Sequence, residues 1–258
     1  MKKYVLILAF ILLTHSAICL DLIHITPKNP EITPFYIADT PITQSLYQQI
    51  VGSNPSFFKA DSLPVERVSW YDAIVFCNLL SVAHGLEPVY IHYRPGEGLP
   101  LKNVRLWMEA WGGQPPTHRV ASWSNIHIDP IANGYRLLHR NEWDYLYSNL
   151  TNEIFENIED YAWIYTNSEN RTHTVATKNQ DPNMLYDFLG NIYEWKFEDG
   201  GNISERFFRY NNEEQEFFYS NLAFKKFAYR EFITLQDDRG FYRVTRNSMI
   251  GLRVARQE

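Results

Sequence analysis

The chain has 258 residues, 45% hydrophobic and 21% charged, with a formal net charge of −6. This composition excludes a disordered chain and suffices for one large core or two small ones. The acidic balance supplies no basic face for nucleic acid, and 16% aromatic content suits a loop-rich fold held by large rings.

Met1, Lys2 and Lys3 form a positive start, residues 4–13 are an unbroken apolar run, and Ala17 and Cys19 fit a small-x-small cleavage pattern. The run is too short to span a bilayer. It predicts a secretory signal over residues 1–19 and a mature chain that starts near Leu20, is exported to a periplasm, cell surface or medium, and has no transmembrane span. The alternative is a lipid anchor on Cys19, although Ser16 and Ile18 stand where Leu and a small residue are preferred. After cleavage Cys77 is the single cysteine, which excludes an intramolecular disulfide and any site built on two thiolates.

Phe35-Tyr36-Ile37-Ala38 reads as a short strand. Thr43 then caps a helix over residues 44–51 that Gly52 ends. Ser69, with Asp72 three residues on, opens the clearest helix as a capping box. Ala73, Phe76, Cys77, Leu80 and Ala83 fall on one face of it, and Gly85 closes it. Residues 95–134, rich in Gly, Pro and Trp, read as an irregular excursion. Gly134-Tyr135-Arg136-Leu137-Leu138 is strand-like and leads into a helix over residues 139–149 with Trp143, Leu146 and Tyr147 as its buried stripe. Short strands follow at Ala162-Trp163-Ile164-Tyr165, Tyr193-Glu194-Trp195, Tyr242-Arg243-Val244 and Leu252-Arg253-Val254. Early helices and late short strands predict an α+β fold in one domain over residues 22–258.

Several blocks then carry a family resemblance. They are Asp39-Thr40-Pro41-Ile42-Thr43-Gln44, Asn54-Pro55-Ser56-Phe57-Phe58, and Pro64-Val65-Glu66-Arg67-Val68-Ser69-Trp70-Tyr71-Asp72-Ala73 running into Phe76-Cys77-Asn78. Gly134-Tyr135-Arg136-Leu137-Leu138 with Glu142-Trp143, Leu185-Tyr186-Asp187-Phe188-Leu189-Gly190-Asn191-Ile192-Tyr193-Glu194-Trp195, and Gly251-Leu252-Arg253-Val254-Ala255-Arg256 complete them. In this order they resemble the formylglycine-generating, or sulfatase-modifying factor, family. The resemblance implies that family's variety of the C-type lectin-like fold. It also implies oxidation of a sulfatase cysteine with copper held by paired cysteines in the C-terminal third. Some members are ligand-binding modules without catalysis.

No cysteine follows Cys77, so no copper is expected and no catalytic or cofactor-binding residue is assigned; Cys77 reads as a small core residue. His24, His84, His92, His118, His127, His139 and His173 show no zinc-helix spacing, and no nucleophile-elbow pattern occurs. The resemblance implies a structural calcium at Asp187, Gly190, Ile192 and Glu194, the middle two binding through backbone oxygen. The other reading is a metal-free turn with Glu194 paired to an arginine. The fold's substrate face matches residues 206–232, whose aromatic density is more than twice the chain's own 16%. Either most of these rings fill the core, or Arg209, Tyr210, Tyr219, Tyr229 and Arg230 form an exposed ligand-binding patch. The expected function is an exported, non-catalytic domain that binds a protein, peptide or glycan. The alternative is a family oxidoreductase with a displaced or novel active site.

Overall fold

The structure is a computed structural model and describes residues 18–92, 102–105, 107, 126–197 and 248–258. Strands β1 (Leu22–Ile25), β2 (Phe35–Ala38), β5 (Tyr135–His139), β6 (Tyr193–Phe197), β7 (Ile250–Leu252) and β8 (Val254–Gln257) build a six-stranded mixed sheet in the order β1-β2-β8-β5-β6-β7. The β1-β2-β8-β5 part is antiparallel, whereas β5, β6 and β7 run parallel. A separate ribbon pairs β3 (Tyr90–His92) with β4 (Ile126–Ile128). The helices are α1 (Gln44–Val51), α2 (Trp70–Ala83), α3 (Arg140–Ser148) and the short α4 (Asn152–Glu156) and α5 (Ile158–Tyr161). The fold is α+β, as the sequence predicts. Among the described residues no helix is long and apolar enough to cross a membrane.

Local hydrogen bonding starts and stops the helices where the sequence places the caps. The Leu46 amide donates to Thr43 Oγ1 at 3.3 Å, and Gly52, at φ 85°, donates to the Gln48 carbonyl at 2.8 Å. The Asp72 amide donates to Ser69 Oγ at 3.1 Å while the Ser69 amide donates to Asp72 Oδ2 at 2.8 Å, a complete capping box. At the start of α3 the Glu142 carboxylate accepts from the His139 amide at 2.8 Å.

Successive strand residues face opposite sides of a sheet, and here they feed two cores. Ala38, Leu137 and Val254 join one apolar cluster with α1 and α2; their neighbours Ile37, Leu138 and Ala255 join the other with Trp143 and Leu146 of α3. Two sequence expectations change. Helix α2 is buried nearly all round, including Trp70, Ile74 and Val75, because α1 and β5 both pack against it; Ala83, assigned to its buried face, is exposed. Ala162-Trp163-Ile164-Tyr165 is not a strand. Its polar backbone is met instead by Asn167, which accepts from the Ile164 amide at 2.7 Å and donates to the Ala162 carbonyl at 3.0 Å. The expected strand at Tyr242-Arg243-Val244 and most of the 95–134 excursion lie outside the described residues, though β4 is an ordered strand within that excursion.

Candidate functional site

The 187–194 loop is built from left-handed backbone. Asp187 (φ 51°), Gly190 (φ 79°) and Asn191 (φ 56°) turn the chain tightly ahead of β6. Gly190 has no substitute here: a Cβ would lie 2.3 Å from the Trp163 carbonyl oxygen, which already accepts from the Asn191 amide at 2.7 Å. The fully buried Asn191 side chain locks the loop to His173, accepting from its amide and donating to its carbonyl, both at 3.0 Å.

The loop brings Asp187, Gly190, Ile192 and Glu194 into one buried region, but the acceptors of Asp187, Gly190 and Glu194 face protein donors. Glu194 receives Arg253 Nε on both carboxylate oxygens at 3.2 Å and Arg253 Nη2 at 3.1 Å. Asp187 Oδ2 accepts from the Ala176 amide at 2.9 Å and Oδ1 from Asn191 at 3.3 Å. The Gly190 carbonyl accepts from the Ile192 amide at 2.7 Å. Arg253, 1% exposed, also donates to the carbonyls of Ala38, Asp39 and Tyr186. The guanidinium thus supplies the positive charge a cation would bring, and the residues as arranged do not fit calcium, which needs several free oxygens. Among the described residues no group of three or more His, Cys, Asp or Glu is placed to hold a metal ion. Burial pushes the Asp187 carboxyl up to about 6, against the Ala176 amide and the Arg253 charge.

Cys77 lies fully buried in α2, and burial pushes its thiol far above the usual range, so no thiolate is available there at neutral pH. Cys19 is exposed. Arg209, Tyr210, Tyr219, Tyr229 and Arg230, the expected ligand patch, lie outside the described residues.

Glu66 stands inside one of the family blocks, but the sequence assigns it no role. Its side chain is wholly buried, Oε1 accepts from the amides of Phe57 and Phe58, and Oε2 has no partner among the described residues. Burial pushes its carboxyl up to about 7. The folded state therefore keeps, between about pH 4.5 and about pH 7, a proton that the unfolded state has lost, so this group makes stability fall as pH rises through that window. Asp187 acts with the same sign up to about pH 6. Unfolding free energy is expected to drop by on the order of 2 kcal/mol between pH 5 and pH 7.5 on account of Glu66. Denaturant titrations across that range check it. Glu66→Gln should flatten the profile, and an unchanged slope would place the titration elsewhere.

At Phe58, whose amide donates to Glu66, the structure opens a cleft of about 380 Å³, walled by the 58–63 segment on one side and the 163–177 segment on the other. The walls are tied together: the Val175 amide donates to the Ser62 carbonyl at 3.1 Å, and the hydroxyls of Ser62 and Thr174 lie 3.1 Å apart. The Trp163 ring is stacked on His173 at 3.7 Å, with Lys178 Nζ 4.0 Å from its centroid and Thr177 Oγ1 accepting from its indole nitrogen at 2.9 Å. Burial pushes His173 below the usual imidazole range, although its contact with the Ser168 carbonyl opposes the shift. The sequence signal for this cleft is faint, a Thr-rich run at residues 172–177 after an aromatic pair.

The chain as a whole has counterparts in known proteins. Residues 21–258 match the sulfatase-modifying factor enzyme 1-like domain family. A protein of Paenibacillus barcinonensis named chaperone protein LppX is 32% identical over 194 residues, which is 66% of this chain and 64% of that relative's length. The solved structure of Treponema denticola variable protein 1 is 25% identical, covers 92% of this chain and 95% of its own, and superposes with a TM-score of 0.68. The solved structure of CarF, 20% identical over 93% of this chain and 99% of its own, shares the fold with a TM-score of 0.58. The expected fold is thus shown, and the chain belongs to the sulfatase-modifying factor enzyme 1-like family.

Proposed function

We propose that this chain is an exported, non-catalytic member of the family that binds a protein, peptide or glycan. The observation that carries the reading is the state of the thiols. The whole chain holds two cysteines, and Cys77 is sealed inside α2 as a neutral thiol. A soft copper ion is selected by thiolates, and a single buried thiol in the middle of a helix offers it no pair. The relative that is named a chaperone protein supports a binding role, with a polypeptide as the favoured ligand class. The partner surface we assign is the stretch that carries Arg209, Tyr210, Tyr219, Tyr229 and Arg230, which combines large amphipathic rings with two guanidinium groups.

The test is direct. Purified protein incubated with copper, a reductant and a cysteine-containing sulfatase peptide should leave the peptide mass unchanged. Conversion of the cysteine that requires metal and is lost on heating would replace this reading with that of an oxidoreductase whose site lies elsewhere in the chain.

A further inference from the structure

The geometry points to the cleft between the 58–63 and 163–177 segments as a binding site for a small oxyanion, a carboxylate or a sulfate or phosphate ester on a compact organic body. The site is independent of the partner surface proposed above.

Three observations converge. The first is charge. Lys59 and Arg171 line the cleft, and no acidic side chain among the described residues does so, although the chain as a whole carries a net charge of −6. Among the described residues Lys59 Nζ is spent only on the Asn54 carbonyl, and the Arg171 guanidinium has no hydrogen-bond or ion-pair partner. The second is an unmet donor. Thr172 is 1% exposed, stands in the wall of the cleft, and its hydroxyl has no partner among the described residues. A buried hydroxyl left unpaired is costly, and it can donate to an anion. The third is rigidity and size. The ties from Ser62 to the Thr174 hydroxyl and the Val175 amide hold the walls together without a ligand, so ordering them adds little to the cost of binding. The volume of about 380 Å³ lies at the small end for organic ligands. Phe58, Ala60 and Leu63 add apolar surface beside the cations, which suits an anion borne on a body rather than a bare ion. Charge-assisted hydrogen bonds from guanidinium and ammonium groups would hold the oxygens.

Calorimetric titration of the intact mature chain at constant ionic strength tests the site, with succinate, phenyl phosphate and phenyl sulfate as probes and glucose as a neutral control. At least one anion should bind saturably and glucose should not; the anion preferred separates carboxylate from ester. Amide NMR shifts should centre on residues 171–177. Arg171→Gln should weaken binding about tenfold, and Lys28→Gln, remote in sequence and not in the cleft wall, should leave it unchanged. Thr172→Val removes an unpaired buried hydroxyl, so it should keep or raise the melting temperature while weakening the anion severalfold. Two results overturn the proposal: no saturable binding of any of the three anions, or wild-type affinity in both Arg171→Gln and Thr172→Val.

Discussion

Replacing Arg253 by alanine is expected to cost about 3–5 kcal/mol of unfolding free energy, a loss large enough to leave a marginal domain partly unfolded at 25 °C. The reason is what stays behind. Glu194 is 2% exposed and both its oxygens point at Arg253, so truncation leaves a carboxylate in the interior without its counter-charge. Three carbonyls, of Ala38, Asp39 and Tyr186, lose a donor together. They belong to β2, to the turn that follows it and to the 187 loop, so one side chain secures three separate stretches of chain. Urea titrations of wild type, Arg253→Ala, Glu194→Ala and the double variant would show strong coupling, the double costing much less than the sum of the singles. Additive losses would mean that the pair contributes nothing as a pair. The same series addresses calcium. With the guanidinium in place, millimolar calcium should leave the wild-type midpoint unmoved, and an upward shift reversed by chelator would return the loop to the calcium reading.

The second large effect is expected at Gly251. A Cβ there would stand 2.0 Å from the Val65 carbonyl oxygen and 2.7 Å from Ile192 Cδ1. Gly251 is held in register opposite Glu194 in the parallel β6–β7 pair, so the strand cannot swing aside. The 65–68 segment would have to move instead. That segment carries buried Glu66 and the Val68 carbonyl, which accepts the Trp195 indole proton at 2.7 Å. Gly251→Ala should therefore destabilise by about 3 kcal/mol or more. Gly85→Ala gives the contrast: nothing lies within 4 Å of its Cβ position, and only its φ of 70° is unfavourable, at about 1 kcal/mol. Thermal melts of the two variants side by side decide the point. Equal, small losses would show that the 65–68 segment yields easily.

How much of this was legible in the sequence follows from how far apart the interacting groups are. Thr43 with Leu46, and Ser69 with Asp72, are three residues apart, so the caps could be read directly. The family blocks were likewise legible because each is a continuous run. The all-round burial of α2 was not, since a helix packed by both α1 and β5 has no polar face for periodicity to reveal. The 162–165 stretch misled because its alternating aromatic and aliphatic residues imitate a strand; its backbone partners, Asn167 and Asn191, lie on loops. An arginine partner for Glu194 could be anticipated as a type of contact. That it is Arg253, 59 residues away, required the fold. The cleft depends on two segments more than 100 residues apart in the chain, as the Ser62–Thr174 contact shows, and no local pattern announces such a meeting.

The parallel pairing of β6 with β7 constrains how the chain between them can change. Trp195 sits opposite Leu252 and Tyr193 opposite Ile250, so residues 198–249 leave from one end of the sheet and must come back at the other. A parallel connection needs a dozen or more residues, and this one greatly exceeds that minimum. Beyond it, the entropy of closing such a loop grows only logarithmically, by about 0.6 kcal/mol for each doubling of length. Both attachment points are secured by the strand ladder, and β6 also by the Arg253–Glu194 pair. As far as chain closure alone is concerned, the parallel β6–β7 pairing therefore sets a minimum length for this connection and only a weak limit above it.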